Sequence, residues 1–425
     1  MPNIEDVTNR IKAEFRQPYS KDRKPLIELL PLHQPLTMYI DPSNICNFKC
    51  SFCFQSNTNA KKEMYLTQMS LETFTTILKQ LAEFDNPIKM IHLHGFGEPL
   101  LNPHFPLFVK LAKESKVSER IATTSNASLL TRDLSRAIIE SGLDQIHFSI
   151  YGLNDESYKI FSKKSLRFSQ IVENIKYFYE HKTLYAKEYG HNCHVHIKMN
   201  KDYFSSQDQV RFLELFGNYA DSIYLDGVAN IWPGIDVSDS LRLNLSLEEK
   251  ESTTVSHQYG HSFKHGALCP IVFYQLLVHS NGDISPCCAD FQAKMTLGNV
   301  ANTTLKEIWQ QALLQNTRST INNAPSTKNT HVNTGGGSKS KLALLRASHI
   351  KGQKNSLPVC AVCSYPDQAA TTSLQEHIHK LKSLYLFPLE SPKQSLHASN
   401  DLQTTQSCSR NTDNNHADST NKGIS

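Results

Sequence analysis

The chain has 425 residues, 39% of them hydrophobic and 20% charged, with a formal net charge of +4 at pH 7. Such a length holds a barrel-sized domain plus a smaller one, and so small a charge, spread along the chain, argues against a nucleic-acid partner. No apolar run is long enough to span a bilayer, and Met1 to Arg23 is too polar for a signal peptide, so a cytoplasmic setting with no membrane partner is expected.

In that setting the ten cysteines point to metal rather than to disulfides. Residues 1–35 read as an N-terminal leader with a short helix around Ile4 to Phe15. Leu36 to Ile40 reads as a strand, and a cysteine loop follows it at once. Ser70 to Phe84 places Leu71, Phe74, Ile77, Leu78 and Leu81 at helical spacing. Lys89 to His94 is a predicted strand, His104 to Ser115 a helix and Arg120 to Thr124 a strand. Thr131 to Ser141 is a helix closed by Gly142. Gln145 to Tyr151 (strand), Phe168 to His181 (helix), His194 to Met199 (strand), Gln207 to Phe216 (helix) and Ser222 to Asp226 (strand) continue the alternation. Strands alternating with helices imply parallel βα units and an α/β class.

Strand phase adds a second signal. His92 and His94 share one face, as do His147, Ser149 and Tyr151; His194, His196 and Lys198; and Ser222, Tyr224 and Asp226. The opposite faces carry Ile91, Leu93, Ile146, Phe148, Ile150, Val195, Ile197, Met199, Ile223 and Leu225. Successive strand residues point to opposite sides. A sheet with one apolar and one polar side, rather than a lumen packed with branched aliphatics, suits an open barrel that holds polar ligands.

The cysteine loop reads Cys46-Asn47-Phe48-Lys49-Cys50-Ser51-Phe52-Cys53, a C-x3-C-x2-C spacing with no fourth Cys or His close by. A structural zinc site wants four ligands. Three thiolates can hold three irons of a 4Fe-4S cube and leave the fourth open to an exogenous ligand. A chance triplet or an incomplete zinc site is the bland alternative. With this motif the chain resembles the radical S-adenosylmethionine (SAM) superfamily. The resemblance implies a partial (β/α)6 TIM-like barrel, in agreement with the six βα units. It implies that Cys46, Cys50 and Cys53 hold a SAM-binding 4Fe-4S cluster, and that SAM is cleaved reductively to a 5′-deoxyadenosyl radical. An external one-electron reductant such as flavodoxin or ferredoxin is implied as partner.

Gly95-Phe96-Gly97-Glu98 lies at the C-terminal end of the second strand, the face at which βα barrels build active sites. It resembles the superfamily's GGE-type motif, with Gly-Phe-Gly-Glu in place of Gly-Gly-Glu. The resemblance implies that Gly95, Gly97 and Glu98 bind SAM, that Phe52 packs near the adenine, and that Ser125, Asn126 and Ser149 are candidates for the ribose hydroxyls. Each of those Ser and Asn residues is equally a common turn-former.

Cys269, Cys287, Cys360 and Cys363 form a second set, with Gly282 between the first two and Ser280-Asn281-Gly282-Asp283 as a hairpin-turn signal. Four thiolates in two pairs suit either a structural zinc or a fully ligated iron–sulfur cluster. Together with Leu297-Gly298-Asn299-Val300 and Ile308-Trp309, the set resembles the SPASM/Twitch auxiliary extension of radical SAM enzymes. Only Cys408 follows the CxxC pair, so the resemblance implies the shortened Twitch form with one second, auxiliary 4Fe-4S cluster. Cys288 competes with Cys287 for ligation, and the glycine spacing favours Cys287.

The expected organisation is a radical SAM core barrel over 36–235, a connector over 236–265 and a small Twitch/SPASM-like auxiliary-cluster domain over 266–315 and 341–370. A flexible Asn/Thr/Ser/Gly-rich insertion is expected over 316–340, a C-terminal helix over 371–390 and a disordered tail over 391–425. The expected activity is a dehydrogenation of a small-molecule substrate such as a sugar or aminocyclitol, with the auxiliary cluster as electron acceptor. Tyr151, His196, Lys198 and Tyr224 are the candidate bases, because they share the polar strand faces. A peptide-modifying radical SAM enzyme is the alternative within the class. A non-catalytic, zinc-stabilised binding protein is the alternative outside it.

Overall fold

In the computed structural model, which describes residues 2–16, 24–227, 232, 235, 268–314, 340–351, 374 and 377–385, every described strand joins one sheet. The strands are β1 (Glu14–Phe15), β2 (Thr37–Ile40), β3 (Met90–His92), β4 (Ile121–Ser125), β5 (Gln145–Ile150), β6 (His194–Asn200), β7 (Ser222–Asp226), β8 (Gln275–Val278), β9 (Asp283–Ser285) and β10 (Gly298–Asn299). Their order is β1-β7-β6-β5-β4-β3-β2-β8-β9-β10. Pairing from β1 through to β8 is parallel, and β8-β9-β10 is antiparallel. The architecture is mixed α/β. The edge strands β1 and β10 do not pair with each other among the described residues, so the described pairings leave the sheet open.

The helices are α1 (Ile4–Thr8), α2 (Leu26–Leu29), α3 (Thr58–Lys62), α4 (Leu71–Leu81), α5 (Phe105–Ser115), α6 (Arg132–Glu140), α7 (Asp155–Ser162), α8 (Phe168–Tyr189), α9 (Ser206–Phe216), α10 (Leu305–Leu314), α11 (Lys341–Ile350) and α12 (Ile378–Tyr385). Side-chain caps explain where several begin. Ser70, Thr131 and Ser205 accept the N–H groups of Thr73, Leu134 and Asp208, each satisfying a donor that the first helical turn leaves orphaned. Gly142 does follow α6 in a left-handed conformation, with φ of +88°.

The strand phases predicted from sequence are those of the sheet. Ile91, Leu93, Ile146, Phe148, Ile150, Val195, Ile197, Met199, Ile223 and Leu225 are all buried in one core with the helices. Phe148 meets Phe178 of α8 edge-on at 5.4 Å, and Phe74 of α4 stacks on Phe108 of α5 at 4.1 Å. The other side stays polar: Tyr39 stacks on His92 at 4.4 Å, and His147 lies 5.1 Å from His196 across β5 and β6.

Three local expectations need correction. The N-terminal helix stops at Thr8, and Glu14–Phe15 pairs instead with Ser222 and Ile223 at the edge of β7. Backbone bonds from Ala13 to Gly217 (2.9 Å) and from Glu14 to Asp221 (3.0 Å) hold it there; partners far along the chain override local propensity. Helix α8 runs past His181 to Tyr189, capped by Gly190. Segment 155–162, unassigned from sequence, is α7, started by a reciprocal Asn154–Ser157 capping box.

The auxiliary segment extends the same sheet. β8 pairs with β2 along its whole length, and Gly282 (φ +88°) makes the tight turn into β9. Gln80 of α4 donates to Val300 O at 2.8 Å and accepts from Leu305 N at 3.1 Å. Trp309 donates to Leu32 O at 2.8 Å. Cys360, Cys363, the tail over 391–425 and nearly all of the expected connector and insertion lie outside the described residues.

Candidate active site

The loop after β2 carries the three cysteines, and neighbouring loops at the same end of the sheet fix it by backbone bonds. Lys49 N donates to Ser162 O and Ser51 N to Phe161 O, both at 2.9 Å, tying the loop to the end of α7. Gln55, buried, donates from one amide to Asn44 O (2.9 Å) and Phe96 O (2.8 Å). Asn47 gives its amide to Ser128 Oγ at 2.8 Å and accepts from Asn126 Nδ2 at 2.9 Å. Cys50 is buried and Cys46 and Cys53 half-buried. Burial pushes Cys46 up to about 11 and Cys53 to about 12, and lifts Cys50 well above the ordinary thiol range. The neighbouring thiolates Cys53 and Cys46 raise Cys50 further. Thiols that disfavour ionisation through burial and mutual repulsion become thiolates when a positive centre compensates them, which suits an iron cluster as their occupant. Among the described residues, no three His, Cys, Asp or Glu side chains gather tightly enough to hold a single metal ion.

The Gly95-Phe96-Gly97-Glu98 loop lies directly against the cysteine loop. A Cβ on Gly97 would stand 2.2 Å from Ile45 O and 2.3 Å from Ser43 O, so only glycine permits this approach. Glu98 N donates to Ile45 O at 2.9 Å. The Glu98 carboxylate is turned inward. Oε1 accepts from Ser125 Oγ (2.7 Å) and Leu100 N (3.2 Å), and Oε2 from Asn126 N (2.9 Å). Burial raises its pKa to about 7 against the opposing pull of those bonds. Ser125 and Asn126 therefore serve here as partners of Glu98 and Asn47. Gly95 packs against Asp41, whose Oδ1 accepts Phe96 N at 3.3 Å.

Phe52 is half-buried, stacked between Tyr151 (5.7 Å) and Tyr203 (5.8 Å). The Tyr151 hydroxyl bonds Ser149, and burial together with Cys50 and Cys46 holds its pKa well above the ordinary phenol range. Ser149, Lys198 and Tyr224 stand on one rung of β5, β6 and β7. Lys198 pairs with Asp226 at 3.4 Å. His196 lies a rung deeper with 1% exposure, its Nδ1 2.9 Å from Ser222 Oγ. Burial, then Lys198, lowers His196 to about 3; burial lowers His92 to about 4 and also takes His94 and His147 well below their usual value. The polar face is thus a set of neutral imidazoles with one ion pair.

Sequence reasoning missed Asp41. It is fully buried, its pKa raised to about 6 by burial, and it accepts Ser280 Oγ at 2.9 Å. Its place at the C-terminal end of β2, just before the loop, was the available signal. In the auxiliary segment, Cys269, Cys287 and Cys288 pack together around Ile271 and Ala289. Cys287 Sγ accepts Ala289 N at 3.3 Å, and Cys269 N donates to the buried His349 Nδ1 at 3.4 Å.

Comparison with known families decides what this arrangement is. The radical SAM superfamily matches residues 40–204, and the iron–sulfur cluster-binding SPASM domain matches residues 269–331. The chain combines a radical SAM domain with a C-terminal SPASM domain. As such it carries a radical SAM catalytic domain, and both domains imply iron–sulfur clusters and SAM binding. Among curated relatives, this radical SAM/SPASM chain is 27% identical over 230 residues to the GTP 3′,8-cyclase of Aquifex aeolicus, covering 52% of this chain and 67% of that one. It is 28% identical over 129 residues to the GTP 3′,8-cyclase of Chlorobaculum tepidum (30% of this chain, 36% of that one). It is 29% identical over 113 residues to the tungsten-containing aldehyde ferredoxin oxidoreductase cofactor-modifying protein of Pyrococcus furiosus (27% and 30%). The chain thus spans only about a third of the length of these last two relatives. Among solved structures, BtrN in complex with AdoMet and 2-DOIA superposes with a TM-score of 0.44 at 16% identity, covering 77% of this chain and 92% of that one. SuiB of Streptococcus suis bound to its precursor peptide SuiA gives 0.47 at 20%, covering 67% and 66%. No helix among the described residues is long and apolar enough to cross a membrane.

Proposed function

We propose that this radical SAM/SPASM enzyme oxidises a small polar metabolite, bound on the polar face of a partial barrel. The observation that carries the reading is that face itself. His92, His94, His147 and His196, with the Lys198–Asp226 pair, offer neutral hydrogen-bonding groups and one fixed dipole of charge, below the cysteine loop and Tyr151. Such a wall suits hydroxyl and amine groups better than an apolar substrate.

In this reading Cys46, Cys50 and Cys53 would hold a 4Fe-4S cluster, while Gly95, Gly97 and Phe52 form the walls around SAM. Glu98, with Ser125 and Asn126, locks the glycine loop to the end of β4. Held there together, the cluster and SAM would supply the 5′-deoxyadenosyl radical chemistry that removes a hydrogen atom from a substrate C–H bond. The Lys198–Asp226 pair is the proton-accepting site we favour. Lys198 shares its rung with Ser149 and Tyr224, and Asp226 stands one rung further along β7 opposite Asn200, whereas His196 is buried and engaged by Ser222. A hydroxyl or amine proton passing to Asp226 leaves one electron to be removed, which a second 4Fe-4S cluster held by Cys269, Cys287, Cys360 and Cys363 would accept.

The test is iron and labile sulfide per chain after anaerobic reconstitution, with 5′-deoxyadenosine release as a second readout. About eight irons in the wild type, falling to about four in a Cys46/Cys50/Cys53 triple-alanine variant, is expected. About one zinc without labile sulfide would overturn the reading. Turnover of peptides but not of sugars or aminocyclitols would move the substrate class to peptide.

A further inference from the structure

We infer that the exposed lysines around the cysteine loop form the docking surface for a small acidic one-electron carrier protein. The inference rests on the function proposed above. Lys49, Lys159, Lys163, Lys164 and Lys201 are all exposed. Their grouping comes from the fold, since they are scattered over some 150 positions of sequence. The bonds from Lys49 N to Ser162 O and from Ser51 N to Phe161 O, each 2.9 Å, bring the end of α7 against the cysteine loop. Lys163 caps that helix in the left-handed region (φ +54°), with Lys164 next in the chain. Lys159 lies one turn earlier, on the same helix face as Lys163. Lys201 begins the turn whose Tyr203 ring packs on Phe161 at 4.7 Å and on Phe52 at 5.8 Å. The five thus border the segment that holds Cys50 and Cys53.

None of the five forms an ion pair among the described residues. Some lysines elsewhere on the surface do, among them Lys89 with Glu119, Lys110 with Glu114, Lys176 with Glu180 and Lys294 with Glu63, while others, such as Lys79 and Lys116, stand singly among the described residues. Three carboxylates stand near them: Asp155 and Glu156 lie one turn before Lys159 on α7, where Asp155 accepts Phe168 N at 2.7 Å, and Asp202 follows Lys201. Five lysines against those three carboxylates leave a local positive excess on this face, in a chain of net charge only +4. A positive patch raises the local concentration and on-rate of an anionic partner and orients it. Here orientation sets the partner's redox group against the loop that bears the cysteines.

The experiment uses the reconstituted full chain and reduced flavodoxin as the probe. The rate of bleaching of the cluster absorption is followed at low and high salt. Charge reversal at Lys159→Glu, Lys163→Glu and Lys164→Glu together is expected to slow reduction roughly tenfold or more at low salt and to flatten its salt dependence. The matching Lys→Arg triple variant keeps the wild-type rate. Photoexcited deazariboflavin, a small neutral reductant, bleaches all three proteins equally, which shows that the clusters are intact. An unchanged flavodoxin rate and salt slope in the charge-reversed protein would overturn the docking surface. No bleaching of wild type with deazariboflavin would overturn the proposed function, and the docking surface with it.

Discussion

The Ser280 hydroxyl donates to Asp41 Oδ2 at 2.9 Å, across 239 positions of sequence, and so joins the strand that leads into the cysteine loop to the hairpin of the SPASM segment. Asp41 also accepts Phe96 N in the glycine loop. One buried carboxyl therefore holds three segments. Asp41→Ala should leave the Phe96 N–H and the Ser280 hydroxyl unsatisfied and cost about 1–3 kcal/mol. Asp41→Asn, which keeps an acceptor oxygen, should cost less. Thermal unfolding of the two variants checks the ranking; equal losses would argue that volume rather than hydrogen bonding matters there.

Glu98 predicts a pH dependence of defined sign. Its pKa in the fold, about 7, lies above the ordinary glutamate value of about 4.3. Between those values the folded chain holds more protons at this site than the unfolded chain, so this group's contribution to stability falls as pH rises through that window. The wild type should therefore lose more stability from about pH 5 to 7 than Glu98→Gln does, relative to each protein's own value at low pH. Parallel unfolding series for the two proteins give the difference directly.

The histidines act in the opposite sense. His196 is held at about 3 and His279 at about 4, below the unfolded value of about 6.5. The unfolded chain binds their protons first, so their contribution to stability rises with pH up to about 6.5 and is lost on acidification. His196→Gln should make the unfolding midpoint less sensitive to acid between about pH 6.5 and 4. A variant as acid-sensitive as wild type would count against a buried neutral His196.

Gly97→Ala places a methyl 2.2 Å from Ile45 O and 2.3 Å from Ser43 O. Both obstacles are backbone of the cysteine loop, so the loop itself must move. Overpacking of this kind costs about 1–3 kcal/mol, occasionally more. The expected signature is reduced iron uptake with far-ultraviolet circular dichroism unchanged, because the helices do not depend on this contact.

Phe54 stacks on Phe291 at 4.4 Å and meets Trp232 at 4.6 Å, which locks the residue after Cys53 onto the SPASM segment. Phe54→Ala is expected to cost about 3–5 kcal/mol. A double-mutant cycle with Phe291→Ala should return a coupling of about 0.5–1.5 kcal/mol. A coupling near zero would mean that the two rings are packed independently.

Much of this protein was legible in one dimension because the deciding signals are local. The Cys46/Cys50/Cys53 spacing, the alternation along β5 and β6, and the apolar repeat of α4 each occupy one short window, and each is what the fold uses. Where a long-range partner decides, the window misleads. Glu14–Phe15 reads as helix until β7 offers it an edge. Segment 155–162 looks unremarkable until the cysteine loop needs the carbonyls of Phe161 and Ser162.

The sequence by itself determined the chemistry at hand: which thiols cluster on one loop, which glycines precede Glu98, and which strand face is polar. Covalent order dictates those, through spacing and the two-residue period of a strand. Only the tertiary structure decided the roles. It turned Glu98 inward to Ser125 and Asn126, engaged His196 with Ser222, and gave Asp41 its partners in Phe96 and Ser280. The reason is physical: burial and hydrogen bonding depend on which distant segments meet, and neither spacing nor composition carries that distance.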